Sequence, residues 1–118
     1  MKKFEKKYIA SWTDLDPNWH VANHAYIKYA ADTRVSFFSE LKLDRDKFND
    51  LNIGPVLFYE HMHYFKEIMM GDEFLINIEI NGYSDDARFF TILQNFYDQN
   101  GIHLAHLDLA FGIITTVF

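Results

Sequence analysis

Phe74, Ile76, Ile78 and Ile80 alternate with Glu73, Asn77 and Glu79, a two-residue period that predicts a half-buried β-strand. Turn signals flank it on both sides, at Gly71-Asp72, Asn81-Gly82 and Ser84-Asp85-Asp86. Beyond them, residues 56–68 and 88–97 read as strands. Asn100-Gly101 is a hairpin signal, and residues 102–118 form a last strand with Leu107, Leu109, Phe111 and Ile113 on one face. The period changes between residues 23 and 41. There Lys28, Asp32, Ser36 and Glu40 recur every four residues as one narrow polar stripe. Ala25, Tyr26, Ile27, Tyr29, Ala30, Ala31, Val35, Phe37, Phe38 and Leu41 surround that stripe, so the helix is expected to be covered on most sides. Asn23 is the expected N-cap, and Arg34, off the stripe, is expected to be paired or to line a cavity.

Ahead of the helix, residues 4–13 read as a strand that Asp14-Leu15-Asp16-Pro17-Asn18 breaks, because Pro17 lacks an N–H and Asp and Asn favour turns. Residues 44–52 read as irregular or briefly helical, ending at Gly54-Pro55. The order is strand, long helix, then four strands joined by short turns, which makes those four antiparallel. This predicts an α+β domain over residues 1–118, with a five-stranded antiparallel sheet curled around one long central helix. Such a sheet has edges that a second subunit would cover.

A chain of 118 residues with 49% apolar and 24% charged residues is a single globular domain, not a disordered one. It has no cysteine, which excludes a disulfide scaffold, a thiolate nucleophile and a cysteine-ligated metal. No apolar run approaches the roughly 18 residues that span a bilayer. The basic start, residues 1–7, lacks the apolar stretch of a secretion signal, and a cytoplasmic protein is expected. A net charge of −6 argues against a nucleic-acid partner held by phosphate contacts. Four of the eleven basic residues fall in the first seven positions, as a solvated strand edge or as a patch for an anion. Aromatic residues reach 18%, with twelve Phe and seven Tyr, which suits a small core, a subunit interface or an apolar pocket.

Polar chemistry is densest from residue 14 to residue 24, immediately before the helix. A helix start offers unpaired N–H groups and a positive dipole end, which stabilise an anion such as the oxyanion of acyl transfer. A carboxylate, an imidazole and an amide beside it supply a base or nucleophile and orient a substrate. Asp and Asn at this place also serve as ordinary caps, and spacing alone leaves both readings open.

The run Asp16-Pro17-Asn18-Trp19-His20-Val21-Ala22-Asn23-His24-Ala25-Tyr26, continuing to Asp32-Thr33-Arg34, resembles the opening of hotdog-fold acyl-CoA thioesterases of the 4-hydroxybenzoyl-CoA thioesterase type. Their pattern is Asp, two variable residues, Gly-His-Val-Asn-Asn, then Tyr, and further along the helix an acidic residue and Arg. Tyr64 followed by Gly71-Asp72 is similar to the junction of the second and third strands in that family. The resemblance implies a hotdog domain that hydrolyses acyl-CoA at sites between subunits of a homodimer or homotetramer. It makes Asp16 the catalytic carboxylate, attacking the thioester carbonyl or activating water. Trp19, His20, Asn23 and Tyr26 then fall at substrate-binding positions. The sequence departs from the pattern at Trp19, where the family often has Gly, at Ala22 in place of Asn, and at Asp32 in place of Glu. These departures keep a second reading in view, a non-catalytic acyl-binding module or an oligomeric protein with a vestigial site.

Hotdog dehydratases instead place His five residues after Asp with Asn-Pro between; here the spacing is four and the order is Pro17-Asn18. The histidine pairs His20/His24, His61/His63 and His103/His106 have spacings that can ligate zinc, but no carboxylate–His signature accompanies them. No metal and no cofactor are expected. Phe89-Phe90 and Phe96-Tyr97 would line an acyl pocket or simply alternate between strand faces.

Overall fold

The computed structural model describes residues 4–115. Strand β1 (Phe4–Ile9) leads through a short 3-10 turn (Trp12–Asp14) to helix α1 (Asn23–Glu40) and then helix α2 (Arg45–Leu51). Four strands follow, β2 (Ile53–Tyr64), β3 (Glu73–Tyr83), β4 (Phe89–Asp98) and β5 (His103–Thr115). They form one antiparallel sheet in the order β1-β3-β4-β5-β2, so β1 and β2 are its edges. This is the expected α+β hotdog arrangement of one long helix against a five-stranded sheet.

The period-2 reading of β3 holds: Phe74, Ile76 and Ile78 are buried against the helix. Ile92 and Phe96 of β4 and Leu107, Leu109 and Phe111 of β5 complete that face. Ala25 and Ala30 are fully buried beneath α1, where a small side chain lets the helix approach the sheet. Thr33 and Gln94 are fully buried polar residues here, and half-buried Arg34 reaches in beside them. Gln94 donates from Nε2 to the Ala30 carbonyl at 3.0 Å and accepts from Arg34 Nη1 at 2.9 Å. Arg34 also lies 5.7 Å from the Phe111 ring centroid, so it is paired as expected.

The structure corrects several local expectations. Asn23 is the first helical residue and the N-cap is Ala22, whose side chain caps nothing. The polar stripe of α1 is latched to β1 as well as wetted: Lys6 Nζ reaches Asp32 Oδ2 at 2.7 Å and Ser36 Oγ at 2.9 Å, and Tyr8 OH donates to Asp32 Oδ2 at 2.7 Å. Lys6 is therefore spent within the fold, while Lys2 and Lys3 lie outside the described residues. The helix is not covered on most sides within this chain, because Val35 is 66% exposed and Ile27 is also exposed. Residues 44–52 contain a capped helix: the Asp44 side chain accepts from the Lys47 N–H at 3.0 Å, and Asn52 turns left-handed to end it.

The second strand starts and ends earlier than its apolar run. Pro55 fits inside it because β2 pairs only with β5 and keeps an open edge. Residues 65–72 leave the sheet as a connector; Ile68 is buried there and accepts from the Val21 N–H at 2.8 Å. Gly71, at φ 81°, makes the turn into β3, a conformation glycine takes without a Cβ penalty.

Substituting Gln94→Leu keeps the volume but removes both polar contacts and strands the Arg34 guanidinium. The expected loss is about 2 kcal/mol, read as a lower urea midpoint with an unchanged slope.

Candidate active site

Residues 12–22 are held in place by a buried carboxylate. Asp14 is 6% exposed, and its two oxygens receive Lys28 Nζ and Tyr29 OH, each at 2.5 Å. Burial raises the Asp14 pKa, but the hydrogen bonds from Lys28 and Tyr29 outweigh it and hold the carboxyl below its ordinary value. Burial and the Asp14 bond push the Tyr29 phenol up to about 12. The Asp14 backbone also contributes, its carbonyl accepting from the Ala22 N–H at 2.8 Å.

Asp16 stands two residues on, at a tight turn. Its carbonyl accepts from the Trp19 N–H at 3.1 Å, and its Oδ1 accepts from the N–H groups of Asn18 at 2.9 Å and His20 at 3.2 Å. Both side-chain bonds fall on Oδ1; Oδ2 makes no hydrogen bond among the described residues. The carboxylate thus shapes its own turn through one oxygen. Immediately beyond, α1 begins without a side-chain cap. Among the described residues, no acceptor meets the N–H of Asn23 or of His24. A half-exposed carboxylate and an open helix start therefore share one connection, an arrangement able to attack or hydrate a carbonyl and hold the resulting oxyanion.

The other candidates take different places. His20 is half-buried, with Nε2 3.1 Å from Glu67 Oε2, and pairs through its backbone with Met69. Trp19 is exposed, with its backbone at φ 67°. Asn23 is exposed on the first turn of α1. Tyr26 lies in the core beneath the connection, its ring edge-on to Tyr64 at 5.0 Å and 5.5 Å from Phe96. Burial pushes its phenol above the ordinary value. Asp16, Trp19 and His20 thus share the turn and Asn23 follows at the start of α1, while Tyr26 packs in the core against Tyr64 and Phe96.

The model of the thioesterase-like superfamily matches residues 10–116. The chain belongs to that superfamily. No curated protein matches it. Among solved structures, this thioesterase-like chain is similar to a hypothetical protein of Staphylococcus aureus in complex with CoA, with a TM-score of 0.91 and 17% identity over 98% of this chain and 72% of that one. It is similar to a 1,4-dihydroxy-2-naphthoyl-CoA thioesterase from Synechocystis, with a TM-score of 0.87 and 17% identity over 98% and 85%. A putative oleoyl thioesterase from Lactobacillus plantarum gives a TM-score of 0.92 at 12% identity, covering 98% of this chain and 44% of that one. These likenesses establish the hotdog fold.

Elsewhere in the thioesterase-like domain, the sequence left several groups open. His61, His63, His103 and His106 gather on the outer face of the sheet, where Asn95 and Asp108 engage the last three and Tyr59 meets His61. His103 Nε2 and His106 Nδ1 lie 2.8 and 2.7 Å from Asn95 Oδ1, and His106 Nε2 lies 2.9 Å from Asp108 Oδ1. Among the described residues, no group of three or more His, Asp or Glu side chains is arranged to hold a metal ion. No described helix is long and apolar enough to cross a membrane. Phe90 and Phe96 face inward, while Phe89 and Tyr97 face outward against Phe58 and His103. A groove of about 1000 Å³ crosses the outer faces of β1, β3 and β4 and is lined by Lys7, Glu73, Leu75, Tyr97 and Asp98. No residue of the 14–24 connection lines it, so its size does not mark the candidate site.

Sequence reading missed the fixing role of Asp14 and the contact of Glu67 with His20. Both depend on partners brought in from other elements, and no short-range spacing announces them.

The lowered pKa of Asp14 means that its ion pair stabilises the fold above the ordinary carboxyl value of 3.8 and is lost as pH falls through the lower folded value. Asp14→Asn is expected to cost about 2 kcal/mol at pH 7. The gap between wild type and variant should narrow below pH 3.8, as paired urea titrations at neutral and acid pH would show.

Proposed function

We propose that this thioesterase-like chain hydrolyses acyl-CoA thioesters to a free acid and CoA, with Asp16 as nucleophile or general base. The observation that carries the reading is the Asp16 carboxylate, bonded through Oδ1 alone, on the connection that leads into the uncapped start of α1. The substrate carbonyl lies against the Asn23 and His24 N–H groups, which take up the charge that develops on its oxygen. Either Asp16 Oδ2 forms a bond to the carbonyl carbon, or it removes a proton from a water that does so. The tetrahedral intermediate then collapses with cleavage of the C–S bond, and CoA leaves as a thiolate that takes up a proton. In the nucleophilic route, water hydrolyses the resulting mixed anhydride and regenerates the carboxylate. Trp19, His20 and Asn23 surround the substrate, and Tyr26 stiffens the helix start below it.

The assembly in this reading is a homodimer or homotetramer with sites between subunits. What supports it is β2, an open edge on which Val56, Leu57, Phe58 and Tyr59 are all exposed, Leu57 on the helix side of the sheet. Edge strands of this kind invite pairing with a second copy. A second reading, acyl binding without turnover, is favoured by the bulky Trp19 at the turn.

Thiol release from short, long and aromatic acyl-CoAs tests the chemistry. Asp16→Asn keeps the oxygen that shapes the turn, so the fold should survive while turnover falls by roughly 10²–10⁴-fold. Full activity in that variant would rule out the role of Asp16; binding without turnover in the wild type would favour the second reading. The assembly has its own test. Sedimentation should show an oligomer that Leu57→Lys converts to a monomer with strongly reduced hydrolysis, and a wild-type monomer would overturn it.

A further inference from the structure

L-residues avoid positive φ because Cβ meets the neighbouring carbonyl, and a bulky side chain there is an outlier. Four described residues other than glycine adopt it: Trp19, Lys42, Asn52 and Ala87. Lys42 and Asn52 stand where α1 and α2 end, a usual place for a left-handed residue, and Ala87 makes the tight turn between β3 and β4. Trp19, like Ala87, closes a tight turn, its N–H meeting the carbonyl three residues earlier, but it places a bulky side chain there. It holds φ 67° with its indole 61% exposed, so burial does not offset the strain.

Its surroundings give the strain a place in the site. Trp19 is the closing residue of the Asp16 turn, its N–H bonded to the Asp16 carbonyl at 3.1 Å, and the next N–H is bonded to Asp16 Oδ1. Glycine would make the same turn freely. The following residue, His20, pairs with Met69 of the connector between β2 and β3. Met69 is exposed as well, so an apolar side chain borders the turn that holds Asp16. Strained backbone retained at such a point is characteristic of a functional contact.

We propose that the Trp19 indole is a specificity-determining contact that packs on the acyl thioester held at Asp16, and that the chain forgoes stability to keep it. The proposal rests on the acyl-CoA reading above. A rigid two-ring surface beside the carboxylate covers the apolar atoms flanking the thioester and removes them from water on binding. It acts on affinity and leaves bond-making to Asp16.

Trp19→Gly should raise Tm by about 4 °C through relief of the left-handed strain. The same variant should raise KM about tenfold or more with little change in kcat, a split that marks lost substrate binding. Trp19→Phe restores a ring at the same φ and should return both Tm and KM towards wild type. The chain has two tryptophans, so Trp12→Phe leaves Trp19 as the sole indole emitter. In that background, with Asp16→Asn added to stop turnover, adding the best substrate of the panel should shift the emission saturably. An unchanged KM or a lowered Tm in Trp19→Gly overturns the proposal. So does silent emission while calorimetry records binding, and in each of these cases the Asp16 reading stands. A wild type that neither binds nor hydrolyses any acyl-CoA fells both together.

Discussion

The hydrogen bonds that Lys28 and Tyr29 donate to the buried Asp14 carboxylate fix the connection between β1 and α1, and the candidate site depends on that connection. A carboxylate drawn out of water must be paired, since an isolated buried charge costs several kcal/mol. Asp14 meets the requirement with two donors from consecutive residues of one helix, which leaves the loop little freedom to slide along α1. Its backbone carbonyl takes the Ala22 N–H, so the same residue also sets where the helix begins. Asp16 and the open N–H groups of Asn23 and His24 inherit their mutual placement from this anchor.

A second set of bonds works from the other side. The Ile68 carbonyl receives the Val21 N–H, and His20 pairs with Met69, so the connector after β2 lies along the loop that carries Asp16. The turn is thereby held between a helix and a connector, and what remains outward is the Trp19 indole and one oxygen of Asp16. Below, Tyr26 and Phe96 fill the space under the helix start.

At the opposite flank the chain leaves its own enclosure incomplete. Arg34 is anchored by Gln94, and Glu60 lies near it with a buried Oε2 that has no partner among the described residues. Leu57 on β2 and Val35 on α1 remain exposed although both belong to apolar patterns. An apolar pattern wider than the surface its own fold can cover is what a subunit contact at the β2 edge would explain, because burial of that surface needs a second copy.

Much of this was legible in the residues themselves. The alternation of Phe74, Ile76 and Ile78, the four-residue stripe of α1, and the turns at Gly71 and Gly101 define strands and helix through local pattern, and the structure contains them; Asn81-Gly82, which also reads as a turn, instead lies inside β3 at a bulge in its pairing with β4. The Asp16 turn was legible through its motif. Local pattern failed where partners come from afar. Residues 65–68 look like strand because apolar residues do not reveal whether a ladder or a loop takes their backbone bonds; here the Ile68 carbonyl serves Val21. Asn23 looks like a cap, yet the 14–22 loop, held by Asp14, already sets the helix entry at Ala22. The stripe residue Lys28 looks solvated, yet it neutralises a carboxylate fourteen residues earlier. The sequence by itself determined the elements, their order and the identity of the turn that carries Asp16, since these follow from neighbours along the chain. Only the tertiary structure decided which carboxylate is buried and paired and which keeps an oxygen without a partner, because that depends on the donors the folded helix brings within hydrogen-bond reach.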